Sequence, residues 1–142
     1  MDADQARQRL AAHRHGVLAT MHAVRGPDPQ PVVYAVAGGV LGVPVDAVKP
    51  KSTTRLAREA NLAADPRAAL LVEHWDPDDW SRLWWVRAHL VHVLKPTTGA
   101  VEELADRLAH TFPQYADRPF HRIIVLRVTD VTGWAATDSV YE

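Results

Sequence analysis

The sequence of 142 residues contains no cysteine, which excludes disulfide bonds and thiol chemistry. It also has no apolar run near the ~20 residues that a transmembrane helix needs, and its first residues lack the apolar core of a signal peptide. A formal net charge of −1 gives no general attraction to nucleic acid or to anionic lipid. We therefore expect a cytoplasmic protein without membrane or nucleic-acid partners.

The residues that are present are typical of a globular protein. Hydrophobic residues make up 47% of the chain and charged residues 23%, which excludes disorder and a coiled coil as the main class. The length fits one domain, which we place at 1–142. The sequence has no internal repeat and no low-complexity linker.

Hydrophobic periodicity and turn residues predict six short strands and three short helices. Helical spacing of Leu56, Ala60 and Ala63 predicts the second helix, with Ser52 or Thr53 as its N-cap. Gly38-Gly39 predicts a two-residue hairpin loop. The predicted helices are 2–13, ending before Gly16, then 52–64 and 98–112; the predicted strands are 17–21, 32–37, 40–45, 68–75, 83–94 and 122–131, with a turn at 25–29.

Strands that follow one another without intervening helices predict antiparallel pairing. A doubly wound parallel fold needs a helix between nearly every pair of strands, and this chain has too few. The fold class is therefore mainly β, within α+β, as a small six-stranded antiparallel barrel with three peripheral helices.

A basic, hydroxyl-rich segment at a predicted strand-to-helix junction is the first candidate site. Two of the chain's three lysines fall in it, and a helix start offers unpaired N–H groups to an anion. These features are typical of a phosphate site, although Ser52 could simply cap the helix while the basic residues stay solvated. No glycine-rich loop precedes the lysines, so it is not a P-loop. The candidate residues are Lys49, Lys51, Ser52, Thr53, Thr54 and Arg55.

Three of the five tryptophans fall within residues 80–85 and form the second candidate. Trp84 and Trp85 are adjacent on a predicted strand, so their side chains must point to opposite faces of the sheet. We expect a second subunit or a flat aromatic ligand against the outward one, beside Arg87. The alternative is that both are core residues. Trp75 and Trp134 are predicted to be core residues.

Other residues give no clear catalytic pattern. His89 and His92 lie three apart on a strand and so face opposite sides, and no spacing of His, Asp or Glu resembles a metal site. No nucleophile-elbow motif is present. We predict no metal and assign no catalytic residue.

The two candidate segments resemble a known family. Residues 45–56, the turn Asp65-Pro66-Arg67 and the string Trp-Ser-Arg-Leu-Trp-Trp-Val-Arg at 80–87 are similar to the pyridoxamine-phosphate-oxidase-like split β-barrel proteins. Within them the 80–87 string resembles the actinobacterial branch of deazaflavin (coenzyme F420)-dependent enzymes. The first strand, at Gly16, and the Pro31-Val32-Val33 run also fit, so the resemblance covers essentially the whole chain.

This resemblance implies a homodimer of split barrels with one flavin-type cofactor in each of two clefts at the subunit interface. It implies that the basic segment binds the cofactor phosphate; relatives usually have a basic residue where this chain has Ser52. The residues implied for phosphate binding are Lys49, Lys51, Ser52, Thr53, Thr54 and Arg55; those implied to line the ring are Thr20, Pro31, Val33 and Asp46; those implied to close the cleft or interface are Trp84, Trp85 and Arg87.

The function implied is an oxidoreductase in which reduced F420 transfers a hydride to an unsaturated or conjugated small molecule. A proton could then come from solvent or from a residue such as His74 or His89. Two alternatives stay open: an FMN-dependent oxidase or reductase of the same fold, and a carrier that binds a flavin, a deazaflavin or haem without turnover. A nucleic-acid-binding barrel is disfavoured because no basic stripe accompanies the aromatics.

Overall fold

A computed structural model describes residues 1–46 and 56–137. They form one antiparallel sheet of seven strands in the order β2-β1-β5-β6-β7-β4-β3, curled into a half-barrel, with three α-helices. The fold class is as predicted, with one strand more than expected. The helices are α1 Ala3–Ala12, α2 Ala57–Ala64 and α3 Thr98–Thr111; the strands are β1 His15–His22, β2 Gly26–Val33, β3 Ala35–Ala37, β4 Val40–Asp46, β5 Arg67–His74, β6 Trp84–His92 and β7 Phe120–Ala135.

The additional strand arises because the single strand predicted at 32–37 is interrupted at Tyr34. This residue is buried, its backbone N–H donates to the carbonyl of Arg14 (3.2 Å), and its phenol donates to the carbonyl of Leu10 (2.5 Å). The chain therefore leaves one edge of the sheet at Val33 and joins the opposite edge at Ala35. A local pattern of alternating apolar residues contains no sign of this change of edge.

The predicted turn at 25–29 is wrong, because β2 already begins at Gly26. Pro27, Pro29 and Pro31 alternate along β2, so their missing N–H groups all lie on the same side of the strand. β2 is an edge strand, bonded on one side to β1 only. Proline is tolerated at such an edge because no ladder hydrogen bond is lost there.

Several local predictions are confirmed. The helix predicted at 2–13 is present as α1, and the structure adds that Asp2 is its N-cap and accepts from the backbone N–H of Gln5 (2.8 Å). Gly38 and Gly39 join β3 to β4 as a two-residue hairpin, with Gly38 at φ 59°, where glycine is favoured. α3 begins at Thr98, as predicted, and ends at Thr111, one residue earlier than expected.

Two helix ends differ from the prediction. α1 ends at its C-cap His13, whereas Gly16, the predicted stop, lies within β1. α2 begins at Ala57 after an extended Leu56, so the start predicted at 52 is wrong; the predicted N-cap residues Ser52 and Thr53 lie outside the described residues. Here Glu59 supplies the capping interaction, since its carboxylate accepts from the backbone N–H of Leu56 (3.2 Å).

The core lies on both faces of part of the sheet. On the concave face the side chains of Leu18, Leu70 and Val86 pack with α1 into the larger cluster. On the opposite face of β3 and β4, Leu104 and Leu108 of α3 form a second cluster. α3 thus covers the outside of the β4 edge, which positions the short 3₁₀ turn Pro113–Tyr115 that follows it.

The outer face of β1, β5 and β6 has no such cover among the described residues. Val17 pairs with Leu71, and Trp85 with Trp134, across neighbouring strands, and all four side chains lie on this convex face. We call these four residues the outer stripe. β7 extends through Gly133 and Trp134, beyond its predicted end at 131.

The prediction that Trp75 and Trp134 belong to the core is wrong. Trp75 is 56% exposed because it follows the end of β5, and Trp134 is 45% exposed because it lies on the outer stripe. The predicted opposition of Trp84 and Trp85 is confirmed. Trp84 packs against the larger core cluster, whereas Trp85 lies on the outer face, where the guanidinium of Arg87 is 5.2 Å from its ring centroid.

Candidate functional site

A pocket of about 350 Å³ lies where β2 and β4 approach each other without pairing. It gathers groups from β1, β2, β4, the first turn of α2 and the 3₁₀ turn after α3. Its walls combine apolar side chains with a carboxylate, a phenol, an imidazole and a guanidinium. The lining residues are His15, Pro31, Val32, Val33, Val43, Pro44, Asp46, Arg58 and Tyr115.

Asp46 and Tyr115 form the buried polar pair of this pocket. The Tyr115 hydroxyl donates to the Asp46 carboxylate over 2.5 Å, and each residue is only 6% exposed. The register of β4 against β7 shifts between Val45 and Asp46. Such an irregularity changes the direction of a side chain at the end of a strand.

The proton of this pair stays on the Tyr115 phenol. Burial, together with the hydrogen bond to Asp46 and its negative charge, raises the pKa of the Tyr115 phenol well above its ordinary value. The phenol therefore stays protonated at physiological pH and donates to Asp46. The rings of Phe112 and Phe120 contact Tyr115 edge-to-face, with centroids 5.6 and 5.0 Å away, and fix its orientation.

α2 brings two charged residues to the pocket side of the sheet. Glu59 accepts from Nε and Nη2 of Arg122 at 2.5 and 2.6 Å, a bidentate pair that joins α2 to β7. Burial alone would raise the pKa of Glu59, but the hydrogen bonds from Arg122 and the Leu56 backbone hold it below its ordinary value. Arg58, next to Glu59, lines the pocket itself.

Three of the residues predicted to line the cofactor ring meet in this pocket: Pro31, Val33 and Asp46. The fourth, Thr20, does not line it. Its side chain is buried and its hydroxyl accepts from Nδ2 of Asn61 (2.9 Å), which ties α2 to β1. A contact between Thr20 and a cofactor stays a prediction.

Trp84, Trp85 and Arg87 lie away from the pocket lining. Trp84 sits under α1, where the guanidinium of Arg9 is 4.9 Å from its ring centroid and the ring of His13 meets it edge-on. Trp85 and Arg87 lie on the convex face. Their predicted role in closing a cleft or an interface therefore depends on a second subunit.

The predicted phosphate-binding residues Lys49, Lys51, Ser52, Thr53, Thr54 and Arg55 lie outside the described residues. Residues close to both ends of the segment 47–55 are part of the described chain. Asp46 directly precedes residue 47, and Arg58 follows residue 55 by three positions. Both of these flanking residues line the pocket.

Sequence reasoning missed Arg58, Tyr115 and His15. Tyr115 is 69 residues from its partner Asp46, so only tertiary packing brings them together. For Arg58 the signal appears only in the structure: the helix start predicted at 52 places it in the second turn, whereas α2 begins at Ala57 and puts Arg58 in the first turn, where the helix dipole disfavours a cation.

A larger depression of about 680 Å³ lies between α1, β3 and α3. Its lining includes the oppositely charged Asp106 and Arg107, which lie on the exposed surface of α3, and none of the predicted site residues.

Within residues 1–46 and 56–137, no cluster of three His, Asp or Glu could hold a metal ion. No helix in the described part of the chain is long and apolar enough to cross a membrane.

No protein-family model and no curated protein matches the chain. Solved structures do match it. A conserved hypothetical protein, Rv2991 of Mycobacterium tuberculosis, has a TM-score of 0.72 at 19% identity over 100% of this chain and 93% of its own. A protein of Listeria innocua provisionally named a pyridoxamine 5′-phosphate oxidase has a TM-score of 0.64 at 15% identity, covering 92% and 95%. The chain has the pyridoxamine 5′-phosphate oxidase-like fold.

Proteins with this split-barrel fold are named for different cofactors. An FAD-binding protein of Mesorhizobium loti matches with a TM-score of 0.67 at 17% identity, covering 94% of both chains. The haem storage protein HutZ of Vibrio cholerae matches with a TM-score of 0.65 at 10% identity, covering 95% of both chains. The fold alone therefore determines neither the cofactor nor the function.

Proposed function

We propose that the pocket between β2 and β4 binds a flavin-type cofactor and that the protein is an oxidoreductase. One observation carries the proposal. The pocket brings Pro31, Val33 and Asp46 together with the cation of Arg58, at the point where the basic segment 47–55 leaves and rejoins the described chain. A tricyclic ring with a phosphate tail needs apolar walls and a nearby cationic region, and both are present here.

The cofactor we propose is reduced coenzyme F420, which supplies a hydride to an electron-poor carbon of an unsaturated or conjugated small molecule. The similarity of residues 80–87 to F420-dependent enzymes supports this choice. In this proposal Pro31 and Val33 form an apolar wall of the pocket, and the basic segment binds the cofactor phosphate. Asp46 also lines the pocket, and the hydrogen bond from Tyr115 fixes its position.

Two other functions have support from particular observations. An FMN-dependent oxidase or reductase is favoured by the FAD-binding protein of the same fold. A carrier without turnover is favoured by the haem storage protein of the same fold and by the Tyr115 proton, which is committed to Asp46.

A turnover assay separates the enzyme from the carrier. The protein is loaded with reduced F420 or reduced FMN and mixed with a panel of enones, quinones and tetrapyrroles. We expect oxidation of the F420 in the presence of at least one acceptor, at a rate above the protein-free control. A bound cofactor that no acceptor oxidises would support the carrier and contradict the enzyme.

We further propose that the functional unit is a homodimer in which a second copy covers the outer stripe. His15 and Pro31 line the pocket, and they pair with Val33 and Val17 across β1 and β2, so the pocket rim continues into the stripe. Val17, Leu71 and Trp134 are large apolar side chains exposed on this one face, which is unfavourable in water. A partner on this face would also narrow the open pocket.

Gel filtration with light scattering is expected to give twice the 15.7 kDa mass of one chain at micromolar concentration. Leu71→Lys places a charge in the stripe and should shift the protein to the monomer, whereas Leu94→Lys, at an exposed site outside the stripe, should leave the dimer intact. Circular dichroism confirms folding of both variants. A wild-type protein that elutes as a monomer would contradict the dimer.

A further inference from the structure

Arg58 is an unusually placed cation. Its Nε is buried and has no hydrogen-bond partner within the described chain. Within the described chain its one hydrogen bond runs from Nη1 to Oε1 of Gln30 at 3.4 Å, near the limit for a hydrogen bond. The guanidinium thus lines the pocket with most of its five donors uncommitted.

The carboxylates nearest in sequence and space are already engaged. Both oxygens of Glu59 accept from Arg122, at 2.5 and 2.6 Å. The Asp46 carboxylate accepts the Tyr115 hydroxyl at 2.5 Å. No described carboxylate lies within ion-pair distance of Arg58, in contrast to Arg67, which pairs with Asp65 at 2.8 Å.

Both burial and helix position make this cation costly for the protein alone. Burial lowers the pKa of the Arg58 guanidinium, although the charges of Glu59, Asp46 and Tyr115 act against this effect. Arg58 also lies in the first turn of α2, where the helix dipole disfavours a positive charge. A partly buried cation at a helix start costs stability, and residues with such a cost are expected at functional sites.

We propose that Arg58 is the receptor for an oxyanion, a phosphate or carboxylate group, of the molecule that occupies the pocket. A guanidinium binds either group through two parallel N–H···O bonds, and partial burial reduces the competition from water. The inference deepens the proposed function by naming a recognition residue in the described pocket. The oxyanion is either the cofactor's phosphate or a carboxylate of a second molecule.

The test compares wild type with Arg58→Gln, and with Arg127→Gln as a matched control at an exposed position of β7. Four probes are titrated by calorimetry and thermal shift: inorganic phosphate, FMN, riboflavin and benzoate. We expect Arg58→Gln to weaken binding of at least one anionic probe by about tenfold to a hundredfold, the range for a lost charge-assisted hydrogen bond. Riboflavin, which lacks the phosphate, should bind both variants equally.

The probes identify the source of the oxyanion. Weakened FMN with unchanged benzoate assigns Arg58 to the cofactor phosphate, and the reverse assigns it to a carboxylate-bearing second molecule. Unchanged affinity for all anionic probes, or a wild type that binds none of them, overturns the inference. If wild type binds neither flavin but phosphate protection depends on Arg58, the cofactor proposal for FMN fails while the anion site stands.

Stability measurements separate recognition from a structural role. Because the cation lacks an ion pair, Arg58→Gln should not lower the Tm of the ligand-free protein. A substantial drop in Tm together with unchanged probe affinities would show that Arg58 stabilises the fold and does not bind a ligand.

Discussion

Replacing Lys51 with alanine is expected to weaken binding of a phosphate-bearing cofactor by about tenfold to a hundredfold. A hydrogen bond from a charged group to a phosphate contributes about 1.5–3 kcal/mol, and each 1.4 kcal/mol is a factor of about ten in affinity. The segment that carries Lys51 connects Asp46 to the first turn of α2, and both ends of this connection are at the pocket. The expectation follows from this connectivity together with the basic composition.

The chain provides a matched control, since Lys95 is the only lysine outside the segment and its side chain is exposed. Lys95→Ala removes the same charge from the protein without touching the segment. Calorimetric titration with FMN and with riboflavin should show a loss for Lys51→Ala with FMN only. Equal FMN affinity of the two variants would contradict the proposal that Lys51 binds the cofactor phosphate.

Gly16→Ala is expected to lower the free energy of unfolding by about 2–3 kcal/mol, the upper range for inserting a methyl group into a well-packed site. A Cβ at this position would lie 2.6 Å from the carbonyl oxygen of Leu71 and 2.8 Å from Cγ1 of Val72. The first contact is with backbone of the neighbouring strand β5, which cannot move without disturbing its ladder. The strands β1 and β5 would therefore have to separate locally.

Gly99→Ala makes the same chemical change in open space. No atom lies within 4 Å of a Cβ there, and the residue is helical, so alanine should be neutral or stabilise by up to about 1 kcal/mol. Urea denaturation of the two variants measures the difference. Equal stability of Gly16→Ala and wild type would contradict the close packing of β1 on β5.

Sequence reasoning succeeded where a local signal decides the structure. The hairpin at Gly38-Gly39 and the start of α1 next to Asp2 each depend on a few adjacent residues. It fails at β2, where Pro27 and Pro29 fall in the turn predicted at 25–29. They form an edge strand because the sheet order leaves that side of β2 unpaired, and sheet order depends on the whole chain.

Only part of the candidate site can be predicted from the sequence. The resemblance predicts that Pro31, Val33 and Asp46 line the cofactor ring, and these three residues meet in one pocket. Tyr115 and Arg58 were missed because their roles arise from packing across the fold: Tyr115 reaches Asp46 only because α3 covers the outside of β4. Likewise, the exposure of Trp134 follows from its pairing with Trp85 on the convex face.

The pocket between β2 and β4 is proposed to bind a flavin-type cofactor, and this binding can be measured directly. The most direct measurement is a side-by-side fluorescence titration of wild type and Asp46→Asn with F420, FMN and FAD. We expect wild type to bind F420 with one site per chain, more tightly than FMN or FAD, and the variant in the pocket to bind it more weakly. Failure of all three cofactors to bind wild type, or F420 binding unaffected by Asp46→Asn, would contradict cofactor binding in this pocket.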